Sequence, residues 1–139
     1  MAKMIFVNLP VADLAASTAF YKAVGFVQNE RFSGPHATMM AWSDTISVML
    51  TTHEFYATLV AKPIADARAV SACAFALSFD SRAEVDAISE AAVAAGGREL
   101  HGAEDEGFMY SRAFEDLDGH SWGPLWMDIA AAASQPESA

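Results

Sequence analysis

Alternation opens the chain. Ile5, Val7, Leu9 and Val11 share one parity and are all apolar, whereas Phe6, Asn8 and Pro10 on the other parity are mixed. This period-two pattern predicts a strand with one buried face and one face that lines something different. Pro10 cannot donate to a ladder, which places it near a strand end or on an edge. Asp13 is a natural helix N-cap. Ala16, Phe20 and Val24 recur at spacing four, so a helix is predicted over about 14–24, stopped by Gly25. Short strands follow near 26–32, 37–42 and 45–51, punctuated by Ser33-Gly34-Pro35 and Ser43-Asp44. Residues 53–70 lose the alternation and read as a helical connector broken at Pro63.

The pattern then restarts. Cys73, Phe75, Leu77 and Phe79 form an apolar face, and Ala74, Ala76, Ser78 and Asp80 the other. Ser81-Arg-Ala-Glu84 has the form of a capping box, opening a helix predicted over 82–95. Val85, Ile88, Ala92 and Ala95 supply its buried stripe, and Gly96-Gly97 its stop. Strands near 98–101, 107–115 and 120–128 complete the half, the last two joined by a turn at Glu115-Asp116-Leu117-Asp118-Gly119. The order strand, helix, three strands therefore occurs twice. The expected organisation is one α+β domain over 1–129, with units of about 1–52 and 71–129, the connector between them, and a frayed tail at 130–139.

Composition narrows the function. Hydrophobic residues make up 53% of the 139 positions and charged ones 19%, which excludes a disordered body. The formal net charge of −10 repels phosphate backbones, so no nucleic-acid partner is expected. It favours neutral or cationic small partners. No apolar run reaches the length of a membrane span, and the first apolar stretch is too short and β-branched for a secretory leader. Cys73 is the single cysteine, which suits a reducing cytoplasm. By parity it is expected as a buried structural thiol.

Two stretches carry a resemblance. Val11-Ala-Asp-Leu-Ala-Ala-Ser17, with Phe20-Tyr21 and Gly25-Phe26, is similar to the opening pattern V-x-D-L-x-x-S-x-x-F-Y-x-x-x-G-F of the vicinal oxygen chelate superfamily. Phe114-Glu-Asp-Leu-Asp-Gly-His120-Ser-Trp122 resembles its closing F-x-D-P-D-G-H-x-x-E, with Leu117 where Pro is usual. That superfamily includes glyoxalase I, extradiol dioxygenases, and fosfomycin- and bleomycin-resistance proteins. The resemblance implies two tandem βαβββ modules forming a curved, partly open mixed β-sheet cavity with helices outside, and a homodimer. It identifies a fold more than a reaction, because one scaffold hosts many chemistries.

In metal-dependent members of the superfamily, His, Gln or Glu on the first and last strand of each unit hold a divalent ion. Here those positions fall on Phe6, Met49, Ala74 (or Cys73, one residue away) and Gly123. None supplies an imidazole or a hard oxygen, so no metal cofactor is expected. His36, His53, His101 and His120 show no ligand spacing, and Asp116-x-Asp118-Gly119 fails as a calcium loop because Phe114 and Leu125 would fall on ligand positions.

Parity nominates the cavity lining. Phe6, Asn8 and Met49 are expected from the first unit, with Trp42 as a further apolar wall, and Ala74, Ser111, Gly123 and Leu125 from the second. In the last hairpin, partner numbers should sum to 236 if the turn centres on Asp118, which sends Phe114 and Trp122 beneath the helices. A one-residue bulge would bring Tyr110, Arg112 and Trp126 into the cavity instead. Such a lining suits an apolar or aromatic small molecule, with Asn8 as polar anchor. Three readings follow. The first is a metal-free binding protein of the bleomycin-resistance kind. The second is a metalloenzyme resembling lactoylglutathione lyase or a dioxygenase, which would need a Lewis acid and a carboxylate base. The third is a ligand-free interaction domain with a filled core.

Overall fold

The computed structural model describes residues 2–133. The first unit runs β1 (Ile5–Val11), α1 (Leu14–Ala23), β2 (Val27–Asn29), a 3-10 turn (Glu30–Phe32), β3 (Ala37–Ala41) and β4 (Ile46–Thr52). A short helix α2 (His53–Leu59) follows. The second unit runs β5 (Ala74–Phe79), α3 (Arg82–Ala94), β6 (Arg98–Asp105), β7 (Met109–Glu115) and β8 (Ser121–Met127), and α4 (Ile129–Ala133) ends the described chain. The sheets repeat one topology, β1-β4-β3-β2 and β5-β8-β7-β6. Each pairs its first strand parallel to its last and is otherwise antiparallel. The α+β fold with two open mixed sheets is therefore as expected. No helix among the described residues is long and apolar enough to cross a membrane.

The helix ends follow local chemistry. The Asp13 carboxylate accepts from the Ala16 amide, and Gly25, at φ +106°, turns the chain so that the Phe26 amide reaches the Tyr21 carbonyl. Ser81 caps α3 through the Glu84 amide, but Glu84 reaches back to the Asp80 amide, one residue before the cap. The connector differs from expectation. Its helix stops at Leu59, and Pro63, which cannot donate within a helix, lies in the non-helical strap that leads to β5. The tail also differs: 130–133 belong to α4, and 134–139 lie outside the described residues.

One core serves both units. Leu9, Val11, Met40, Val48 and Leu50 of the first sheet meet Phe20, Tyr21 and Val24 of the first helical segment, and Leu77, Ile88, Phe114 and Trp122 of the second unit join them. Each such side chain contributes roughly 1.5–3 kcal/mol by leaving water. The rings touch in sequence across the unit boundary: Phe75 on Trp122, Trp122 on Tyr21 and Phe26, Phe26 on Trp42, Trp42 on Phe79.

The turn at 116–120 knots this boundary. Asp116 Oδ1 accepts from the Asp118 and His120 amides at 2.9 Å, and Oδ2 accepts from the Tyr21 hydroxyl at 2.6 Å. The same hydroxyl accepts from Trp122 Nε1. Burial raises the Asp116 pKa, and burial together with the Asp116 charge raises that of Tyr21. Asp118 accepts from the Ala12 amide and the Ser17 hydroxyl, and His120 Nε2 meets the Pro10 carbonyl at 2.9 Å. The motif that suggested a calcium loop is thus an interunit latch.

Candidate functional site

Each sheet turns one face to the shared core and leaves the other open. In the first sheet the register sets Phe6 beside Ser47 and Ala41, and Asn8 beside Met49 and Met39. These rows lie opposite the buried set Leu9, Val48, Leu50 and Met40. On the open face a hollow of about 580 Å³ is walled by Met4, Phe6, Phe32, Met39 and Met49, with Asn29, Ser43 and Ser47 as polar members. Asp44 is the charged side chain at its rim.

In the second sheet the hairpin pairs Ser111 with Leu125, Phe114 with Trp122 and Tyr110 with Trp126. All three pairs sum to 236, so the expected register holds and the bulged alternative does not. Ala74, Ser111, Gly123 and Leu125 share the open face with Ala76 and Ser78. Gly123 has room there, since an added Cβ would meet nothing closer than 3.8 Å.

The nominated residues do not all meet. Phe6 and Met49 line the hollow of unit one, whereas Ala74, Ser111, Gly123 and Leu125 lie on the separate open face of unit two. Asn8 shares parity with Phe6, yet it lines the cleft between the units rather than the hollow. Trp42 is corrected: it follows Ala41 by one residue, so the pleat turns it to the core side, against Phe26 and Phe79. Cys73 precedes β5 and is exposed, not buried. Arg112 faces α3 and pairs with Asp86 and Glu99 at 3.1 and 3.0 Å. Its Nε is buried without a partner among the described residues. Hydrogen bonds from Tyr110 and then Arg112 hold the Asp86 carboxyl below its usual range. Arg112 therefore ties the helix to the sheet instead of entering the cavity.

Parity would have found Met39, which shares its face with Ala41 and Met49. Met4 and Phe32 had no such signal, one lying before the strand and the other on a 3-10 turn.

The donor set does not fit a divalent ion. The four metal positions offer a phenyl ring, a thioether, a methyl group and a glycine, with Ser47 and Ser121 beside Phe6 and Ala74. The histidines are scattered, with His120 committed to the Pro10 carbonyl and His101 beside the Gly102 carbonyl. Among the described residues no three His, Cys, Asp or Glu converge to hold an ion.

A family model described as Glyoxalase/Bleomycin resistance protein/Dioxygenase superfamily matches residues 3–123. Among solved structures, the chain is similar to a hypothetical protein from S. aureus at 25% identity and TM-score 0.77, covering 91% of this chain and 94% of that one. It is similar to a glyoxalase-related enzyme from Fulvimarina pelagi at 23% identity and TM-score 0.76, covering 91% and 88%. The fosfomycin resistance protein of Listeria monocytogenes matches at 17% identity and TM-score 0.67, covering 91% and 93%. No curated protein sequence matches the chain.

Proposed function

Since the chain belongs to the glyoxalase/bleomycin resistance protein/dioxygenase superfamily, we propose that it binds a small apolar or aromatic molecule on the open face of unit one, without the usual divalent metal. The hollow of about 580 Å³ carries this reading. It falls within the usual size range of small-molecule pockets, and its walls are three methionines and two phenylalanines. Asp44 at the rim favours a neutral or cationic ligand over an anion. A lyase or isomerase mechanism of the metal-assisted kind finds no support in Phe6, Met49, Ala74 and Gly123. Both open faces lack a covering wall among the described residues, and a second copy is the proposed cover. A cytoplasmic setting and the absence of a nucleic-acid partner are proposed on the lone thiol and the charge of −10.

The test is methyl NMR on the methionines. Aromatic amines and neutral aromatics are expected to shift Met39 and Met49 saturably. Asp44→Lys is expected to weaken a cationic aromatic by about 5–10-fold, the scale of one near-surface charge contact. It should leave neutral analogues and the thermal midpoint unchanged. If no member of such a panel moves those methyl signals, the hollow is not a ligand site.

A further inference from the structure

A second cavity, of about 350 Å³, lies between the units and shares no lining residue with the hollow of unit one. One wall is Val7–Pro10 of β1, the other is Phe75 with the start of β8, and residues 60–73 form the roof. The roof is held in place. The Arg68 guanidinium donates to the Leu117 carbonyl, and the Arg68 amide and the Ala69 and Val70 amides close a turn on Asp66. Gly119 presses directly beneath it: a Cβ there would come within 2.6 Å of the Arg68 nitrogen. The other end of the roof leaves α2, which packs on β1 and β4. The cavity is therefore pre-formed, as small-molecule sites usually are.

Its charge is the reverse of the molecule's. The chain has 18 acidic and 8 basic residues, yet no Asp or Glu lines this cleft. Lys62 does, and among the described residues its ammonium has no ion-pair or hydrogen-bond partner. Tyr56 also lines the cleft, and its hydroxyl has no hydrogen-bond partner among those residues. The remaining lining is largely aliphatic, with Phe75 as its aromatic floor. An apolar body with one negative head matches this combination.

We propose that the cleft binds a small monocarboxylate with an apolar body, its carboxylate at Lys62 and its hydrocarbon part between β1, Phe75 and the roof. The site is independent of the hollow in unit one, whose rim charge has the opposite sign.

Cys73 lines the cleft, is exposed, and is the single cysteine, so it reports occupancy. The experiment follows the rate of Cys73 modification by monobromobimane, a neutral reagent, in the full chain with octanoate, octanamide or octylamine. Octanoate is expected to slow the reaction saturably, and the amide and amine much less. Lys62 is exposed, so Lys62→Gln is expected to raise the octanoate concentration needed by about 5–10-fold, the scale of one water-screened charge contact. Ala72→Trp, at an exposed lining position, is expected to abolish protection while the thermal midpoint holds. Asp44→Lys should leave octanoate protection intact, which separates this site from the hollow. The assignment is overturned if octanoate gives no protection below its micellar limit, or if octylamine protects equally. It is also overturned if Lys62→Gln changes nothing, or if octanoate moves the Met39 and Met49 methyls without protecting Cys73.

Discussion

Replacing Gly119 by Ala tests whether the roof over the cleft is clamped by the latch turn. Gly119 sits at φ +92°, and an added Cβ would meet the Arg68 nitrogen at 2.6 Å and the Ala67 carbonyl carbon at 2.8 Å. Gly25 is a matched control, with φ +106° and nothing within 4 Å of the same added atom. A left-handed Ala costs about 1–2 kcal/mol at either position. The backbone overlap at Gly119 adds roughly 1–3 kcal/mol, because the obstruction is main chain and not a flexible side-chain end. For 139 residues, an unfolding entropy of about 2.1 cal/mol/K per residue converts 1 kcal/mol into about 3–4 °C. Gly25→Ala is then expected to lower the melting temperature by about 3–7 °C, and Gly119→Ala by about 7–17 °C. Calorimetry with a parallel urea series measures both. If the two variants melt within about 2 °C of each other, the roof is not seated on Gly119 and the clamp argument fails.

Two further outcomes concern the buried latch. Tyr21→Phe removes the donor to Asp116 and the acceptor of the Trp122 indole N–H, and should destabilise by about 1–3 kcal/mol in urea unfolding; a change near zero would show that neither partner depends on that hydroxyl. Asp116 has a carboxyl pKa raised by burial above its ordinary 3.8. Its protonation therefore favours the folded state, an effect full below the unfolded value and lost as pH rises through the folded one. Asp116→Asn cannot take up that proton, so the stability gap in favour of the wild type should widen as pH falls from 6 towards 4; a gap that narrows in acid contradicts the assigned direction.

Local rules made much of the fold legible. Asp13, Gly25, Ser81 and the Gly96-Gly97 pair mark helix ends because their side chains, or the lack of one, act on neighbours within four residues. The hairpin register could be counted from Asp118 because one turn pins every later pair. Parity failed where a strand stops. Cys73 lies one residue outside β5 and leaves the apolar face. Trp42 is nominated for its size as an apolar wall, and its parity, one step past Ala41, leads to the core side instead. The larger miss concerns how the two units meet. That arrangement rests on Phe20 against Phe114 and Tyr21 against Trp122, contacts between distant segments that no short window displays. The cleft under 60–73 was invisible for the same reason: it exists only after those contacts form.

The interunit latch also sets an order of events for a chain made from its N-terminus. The amide of Ala12, ahead of α1, waits for Asp118, which lies 106 positions later. At ordinary synthesis rates that interval is roughly 5–20 s. During it, Phe20 and Tyr21 have no ring from the second half to cover them. A nascent first half is thus sticky by construction, and a ribosome stalled between the repeats would present an aggregation-prone surface. The duplicated plan shares one core between its halves. It yielded a molecule whose first half is completed by its last hairpin, so truncation there should leave chaperone clients rather than half-size domains.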